Sequence, residues 1–317
     1  FVAGRIGQMG IFEESGIPTL TAVIESQNGT LGLLSPTPRG GPGQTTDKEK
    51  RTIRSFVVPH FQHDDAIMAD EVQGVREFGT TGQLRTVQNY MNQRIASRVP
   101  YFDATLEYQR VGAVKGVITY ADSTTLDLFS EFGVSQIGEI DFDLDNGSPA
   151  SGALRKAVAG AVRKMMDNLG GVPMIGAHAF CGDAFFDDLL AHTEVRASYT
   201  GTDMAKVLRD GYVYPNGDRV YGAFEFGGVV WENYRGSVGG TAFVDTNKCH
   251  IFPEGVPGLF KTWFSPADYW ETVNTIGLPR YAKPIMMPNG KGMSLEMQSN
   301  PLSICTRPRT LIKGKRT

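Results

Sequence analysis

Three short groups of histidine, cysteine and aspartate residues could bind a metal ion. The groups are His60 with His63, Asp64 and Asp65, then His178 with Cys181, and finally Cys249 with His250. Zinc accepts imidazole, thiolate and carboxylate ligands, but no group has the repeated two-residue cysteine spacing of a structural zinc site. Neighbouring strand side chains also point to opposite faces. We therefore predict no metal site and no cofactor, and a metal-dependent hydrolase using His60, His63 and Asp64 is only an alternative.

The sequence lacks the common motifs of nucleophilic catalysis and nucleotide binding. It contains no Gly-x-Ser-x-Gly elbow. Paired acids such as Asp187 and Asp188 diverge on a helix and are typical of a solvated face. The glycines of Gly40–Gly43 lie in a proline-rich loop, and Gly290–Gly292 lacks the remaining residues of a phosphate-binding loop. We predict no catalytic residue and a chain that is not an enzyme.

Composition narrows the class of protein further. The chain has 317 residues and a formal net charge of -3, which argues against strong non-specific nucleic-acid binding. Its three cysteines are widely spaced and odd in number, which indicates reduced thiols. No apolar run reaches the length of a membrane helix. The basic run Lys313–Arg316 is either a solvated tail or a phosphate contact.

The first part of the chain predicts projecting segments. Residues 1–22 show no clear periodicity, so we expect an extended arm that gains order only against a partner. Val23 to Pro59 contains two strand patterns around a segment rich in proline and glycine, which predicts a two-stranded ribbon. Such a ribbon is marginally stable alone and would lie on another subunit; a disordered surface loop is the alternative. Lys48, Lys50 and Arg51 either contact other subunits or form a solvated charged face.

Periodicity places the main helices. We expect a helical stretch from His63 to Gly79 and a long surface helix from Leu84 to Ala113, kinked or divided at Pro100. After residue 148, helical patterns alternate with strand patterns in a way that predicts a compact α/β domain. The tail from Leu259 to Thr317 has no long helical pattern, and we expect it to complete the sheet of the first part.

The tail also carries a family resemblance. Ile251–Gly255, Phe264–Asp268 and Glu271–Gly277 resemble the C-terminal signature of the phage lambda-type major capsid proteins, the major capsid protein E family. The resemblance continues, in family order, through Ala69–Arg76, Ala104–Tyr108, Gly112–Gly116, Tyr281–Lys283 and Gln298–Leu302.

This resemblance implies an α+β, HK97-like capsid fold. Residues 1–22 would be the N-terminal arm and residues 23–62 the extended β-ribbon loop. The peripheral domain, with its long spine helix, would comprise residues 63–147 and 258–317. Residues 148–257 would be the axial α/β domain.

The implied function is assembly. A protein of this family would form hexamers and pentamers in the icosahedral head of a tailed double-stranded DNA bacteriophage. Expected partners are further copies of the chain, a decoration or cement protein, a scaffold and a portal. The shell would enclose DNA without sequence-specific binding and without a membrane. Its location would be the virion, after synthesis in the host bacterial cytoplasm. An encapsulin-like compartment shell is the alternative.

Overall fold

A computed structural model describes residues 4–27, 51–75, 86–199, 212–213, 219–220 and 222–317. Helices α1 to α6 are Arg5–Met9, Val87–Lys115, Leu128–Phe132, Ala153–Leu169, Asp183–Ala191 and Thr193–Tyr199. Strands β1 to β20 are, in chain order, Phe12–Gly16, Thr21–Gln27, Arg51–Val57, Phe61–Met68, Val117–Thr119, Thr125–Asp127, Ile140–Asp141, Gly176–Cys181, Tyr212–Val213, Arg219–Val220, Ala223–Phe226, Val229–Asn233, Ser237–Val238, Thr241–Ala242, Lys248–Glu254, Phe260–Phe264, Tyr281–Met286, Gly292–Ser299, Pro301–Cys305 and Ile312–Lys315. Within the described part of the chain, none of the helices combines the length and the apolar composition that a membrane crossing requires.

The predicted long helix is confirmed as α2, although Leu84 lies outside the described residues. The Thr86 side chain caps the helix by accepting a hydrogen bond from the Asn89 amide, and Gly116 ends it in the left-handed conformation. Of the two outcomes expected at Pro100, the division is wrong, because α2 runs through this residue as one helix, and the kink stays a prediction. Tertiary contacts on both sides of the proline outweigh its missing hydrogen bond.

The expectation that α2 lies on a surface holds only for its N-terminal half. From Phe102 onward the helix buries apolar residues such as Val111 and Val114, together with polar residues such as Glu107. Among these polar residues, Glu107 accepts hydrogen bonds from the Ile6 amide and from the Tyr234 hydroxyl inside the core. The C-terminal half of α2 is therefore an internal element.

A mixed six-stranded sheet has the order β11-β12-β8-β15-β20-β7. Helices α4 and α5 cover one face of this sheet through buried residues such as Val158, Met165 and Phe185. The opposite face meets the C-terminal half of α2 through Phe180 and Phe252. Most strands come from residues 148–257, as expected for an α/β unit.

The tail pairs with the first part of the chain, as predicted, but its last strand does so within the six-stranded sheet. Strand β16 lies between β1 and β19, and β18 lies between β17 and β4. Strand β20 instead pairs with β15 and β7 in the six-stranded sheet. The last residues therefore join a different sheet from the rest of the tail.

The helix predicted from His63 to Gly79 is wrong for residues 63–75, and residues 76–79 lie outside the described part of the chain. Residues Phe61–Met68 form β4, which pairs with all eight residues of β18, and Ala69–Glu71 form a single 3-10 turn. Burial alternates along β4, with Ile67 buried and Asp64 and Ala66 exposed. Pairing with a strand more than two hundred residues away overrides the local helical pattern.

The N-terminal arm is also more ordered than expected. Strand β1 pairs in parallel with β16, and Ile6 and Phe12 are buried in the main core. The expectation that residues 1–22 gain order only against a partner is wrong for residues 4–22. Burial of these apolar side chains within the same chain supplies the stabilising free energy.

The predicted ribbon is present in the residues that the structure describes. Strands β2 and β3 are antiparallel and pair from Thr21 with Val57 to Gln27 with Arg51. Lys48, Lys50 and the intervening proline-rich segment lie outside the described residues. The described strands join the body at Ala22 and Phe56, which are buried.

Candidate assembly surface

The first group of metal-ligand candidates does not converge. The His60 ring contacts Asn300 Oδ1 at 2.9 Å through Nδ1, and the His63 ring packs against Tyr101. Asp65 accepts a hydrogen bond from Arg98 at 3.0 Å. Asp64 lies on the opposite face of β4 from His63 because strand side chains alternate. Among the described residues, no three histidine, cysteine or acidic side chains could hold a metal ion together.

The cysteine candidates are buried parts of the six-stranded sheet. Cys181 and Cys249 are directly opposite each other on β8 and β15. His178 and His250 belong to the other face, since each lies an odd number of residues from its cysteine. Burial raises the pKa of the Cys181 thiol well above its ordinary value. This arrangement favours neutral, packed thiols over metal ligands.

His178 belongs to a buried ionic network that the sequence patterns did not predict. Its ring nitrogens lie 3.1 Å from Glu232 Oε2 and 3.2 Å from Glu254 Oε1. Arg5 donates two hydrogen bonds to the Glu232 carboxylate, at 2.6 and 2.8 Å. Burial opposes ionisation of Glu232, but the hydrogen bonds from Arg5 and His178 lower its pKa to about 2. No local pattern could have found this network, because Arg5 and Glu232 are 227 residues apart.

His250 experiences the opposite electrostatic environment. Burial, followed by the positive charges of Lys115, Lys313 and Lys248, lowers the pKa of His250 to about 3. The unfolded chain binds this proton near pH 6.5. The stability that neutral His250 contributes is therefore lost as the pH falls from about 6.5 toward 3.

We expect His250→Phe to reduce the acid sensitivity of the subunit. Between pH 6.5 and 5, the native protein should lose roughly 2 kcal/mol more of its unfolding free energy than the variant does. Urea unfolding of both proteins at several pH values measures this difference. His60→Gln, which changes an exposed histidine, is the control. It should keep the native dependence of the unfolding free energy on pH. If the unfolding free energy depended on pH equally in the native protein and in His250→Phe, the conclusion that buried His250 causes acid sensitivity would be contradicted.

The outer face of the ribbon formed by β2 and β3 exposes three large apolar side chains, each paired across the strands with a polar residue. Its inner face is fixed to the body, where Phe56 packs on Phe132 with a centroid separation of 5.6 Å. Val23 and Val57 on the outer face are 57% and 77% exposed, and Ile53 is also exposed. These side chains contact little of their own subunit. Exposed apolar residues that are grouped in this way mark interaction surfaces.

A second exposed apolar surface is the loop of residues 266–280, here called the apolar loop. Its large exposed side chains are Trp270, Val273, Ile276 and Leu278. Trp270 is 91% exposed, although tryptophan is among the residues most enriched in interface cores. The sequence signal that could have found this surface is the recurrence of large apolar residues without a helix or strand period.

Hydrogen bonds hold the apolar loop in one conformation. The Gly277 amide donates to the Ile17 carbonyl at 3.1 Å, and the Leu278 amide donates to the Tyr281 hydroxyl at 2.8 Å. The Thr272 hydroxyl donates to the Ala267 carbonyl at 2.6 Å. A preorganised loop loses little entropy on association. Together, the ribbon and the apolar loop can bind other protein surfaces without any catalytic chemistry.

Comparison with known sequences agrees with an assembly role. The family model described as Phage major capsid protein E matches residues 1–316. The chain is similar to the protein named Major capsid protein of Pseudomonas phage KPP10, with 27% identity over 99% of this chain and 92% of the relative. It is also similar to the Major capsid protein of Salmonella phage Felix O1 (isolate Felix O1-VT1), with 26% identity over 98% of this chain and 90% of the relative.

Comparison with solved structures shows the fold. The capsid of Myoviridae Phage XM1 matches with a TM-score of 0.56 and 9% identity, covering 100% of this chain and 93% of that chain. The capsid of Ralstonia phage GP4 gives a TM-score of 0.53 and 10% identity, covering 97% and 87%. The capsid of Cyanophage P-SCSP1u gives 0.52 and 12%, covering 97% and 86%. The predicted α+β, HK97-like capsid fold is confirmed.

Proposed function

Because this chain belongs to the phage major capsid protein E family, we propose that it is the major capsid protein of a tailed double-stranded DNA bacteriophage. Copies of the chain assemble into hexamers and pentamers of an icosahedral head. The observation that carries this proposal within the structure is the antiparallel ribbon, whose outer face exposes Val23, Ile53 and Val57. An assembly in which other copies cover this face accounts for its apolar composition.

The free energies involved favour several contacts per subunit. Fully burying a valine or isoleucine contributes roughly 1.5–3 kcal/mol, and the three outer-face residues are 57–77% exposed, so together they contribute roughly 3–6 kcal/mol. Association costs about 4–15 kcal/mol in lost motional freedom. One ribbon contact therefore offsets this cost only in part. The apolar loop is the natural second contact, because its exposed residues are already held in place.

The domain roles follow the family fold. Residues 148–257 form the axial domain, whose sheet gains an inner strand from Ile312–Lys315 and an edge strand from Ile140–Asp141. Residues 63–147 and 258–317 form the peripheral domain around α2. These roles are part of the proposal, and the pairing of β18 with β4 supports the peripheral grouping.

The electrostatic properties favour enclosing DNA over binding it tightly. A net charge of -3 provides no excess of positive charge for broad phosphate neutralisation. At the C-terminal end, Lys315 pairs with Asp141 at 2.8 Å and Arg316 pairs with Asp188 at 3.2 Å. We propose a shell without sequence-specific DNA contacts, located in the virion after synthesis in the host cytoplasm. A decoration protein, a scaffold and a portal are its proposed partners.

Electron microscopy of the purified chain tests the proposed function. We expect closed shells of uniform diameter, with subunits arranged in pentamers and hexamers. Metal analysis of the same sample addresses the hydrolase alternative, which requires stoichiometric zinc or manganese. Persistent monomers with bound metal would overturn the proposal. Native particles filled with a cargo enzyme would favour the compartment alternative.

A further inference from the structure

Helix α1 lies where α2 meets the six-stranded sheet, and it bonds to both. On the sheet side, the Arg5 guanidinium donates two hydrogen bonds to the Glu232 carboxylate of β12. Both side chains are buried. A bidentate pair of this kind fixes the orientation of the arginine as well as its position.

On the other side, α1 bonds to a carboxylate of α2. The Ile6 amide donates to Glu107 Oε1 at 2.8 Å, and the Tyr234 hydroxyl donates to the same oxygen at 2.8 Å. Tyr234 directly follows β12, and Glu107 is 2% exposed. One carboxylate oxygen therefore joins α1, the long helix and the end of a sheet strand.

Buried polar contacts and the fully buried Ile6 side chain hold α1 against α2. A cavity of about 360 Å³ lies beside this contact, and Gly4, Gly7, Glu107 and Arg110 are among its lining residues. Interfaces that interlock closely resist movement, whereas a segment next to an open cavity has space to shift. Loss of the two polar contacts would leave α1 held by the apolar contacts of Ile6, next to space into which it can shift.

We propose that α1 is a clamp that sets the angle between α2 and the six-stranded sheet. With Arg5 on Glu232 and Ile6 on Glu107, the two elements hold one relative orientation. When either contact opens, the angle between them varies. This last step rests on the proposed function. In an assembled shell, the clamp determines how similar the curvature is from one subunit to the next.

Distances between two spin labels test the clamp. Tyr101→Cys on α2 and Met166→Cys on α4 provide exposed attachment sites, and the three native cysteines are buried. Double electron–electron resonance on the labelled full chain, diluted with unlabelled chain, measures the distance within one subunit. We expect a narrow distribution for the native clamp. Glu107→Leu, which removes the shared acceptor oxygen, should broaden and shift it.

Two conservative variants keep the test decisive. Glu107→Gln retains an acceptor oxygen and should preserve the narrow distribution. Arg5→Lys retains the positive charge but loses the bidentate geometry, and it should broaden the distribution even if Glu107→Leu does not fold. Folded Arg5→Lys protein with the native distribution would overturn the clamp.

Particle size provides the second readout. We expect Arg5→Lys to widen the spread of particle diameters seen by electron microscopy, while Glu107→Gln leaves it unchanged. Absence of particles from the native chain would contradict the proposed function, and the distances between spin labels would then decide the clamp by themselves. A native diameter distribution for Arg5→Lys, together with broadened distances, would overturn the link between the clamp and shell curvature.

Discussion

Replacing Val23 and Val57 together with aspartate is expected to abolish closed particles while the subunit stays folded. Both side chains are more than half exposed in the single chain, so the substitution should change the unfolding free energy little. In the proposed assembly another copy covers them. An unpaired carboxylate placed there costs several kcal/mol in desolvation. This cost per aspartate exceeds the roughly 1.5–3 kcal/mol that each apolar side chain contributes.

Sedimentation and electron microscopy measure the loss of particles, and urea unfolding measures the stability of the subunit. The matched control is Val23→Thr with Val57→Thr, which keeps the branched shape without a charge and should still form particles. Normal particles from the aspartate variant would show that the ribbon face is not buried in the shell.

Gly277→Ala is expected to destabilise the subunit by about 3 kcal/mol or more. A Cβ atom at this position would lie 2.1 Å from the Phe264 carbonyl oxygen and 2.5 Å from the Phe264 carbonyl carbon. Both are backbone atoms of β16, which is paired on both sides and cannot move aside. The substitution should therefore break the hydrogen bond from Gly277 to Ile17 and displace the apolar loop.

Urea unfolding of the subunit measures this loss directly. The control is Gly138→Ala, because a Cβ at Gly138 would have no atom within 4 Å. We expect the control to change the unfolding free energy by less than about 0.5 kcal/mol. A similar small change for Gly277→Ala would mean that the loop does not need this close approach. Its exposed tryptophan would then have no fixed position.

The two predictions separate assembly from folding. Val23 and Val57 are exposed in the single subunit, so their effect should be confined to contacts between copies. Gly277 is part of the framework that presents the apolar loop, so its effect should begin within the subunit. A capsid subunit needs both kinds of residue, since its binding surfaces must form before they can be covered.

The sequence alone determined the features that depend on local periodicity. The apolar spacing in Ala153–Leu169 and Asp183–Ala191 specifies which face of each helix is buried, and helical patterns were predicted in this part of the chain. The two ribbon strands and the family resemblance could also be recognised in the sequence, because both depend on composition and on the order of residues along the chain. Local patterns suffice where an element buries a single face.

Tertiary structure alone decided the features that depend on distant partners. Phe61–Met68 is a strand because β18 pairs with it, and the N-terminal segment is ordered because Glu232 and Glu107 bond to it. The candidate metal ligands were likewise separated by strand alternation and by their own hydrogen-bond partners. A sequence pattern reflects only residues that are near one another along the chain. Strand pairing and burial depend on distant residues that folding brings together.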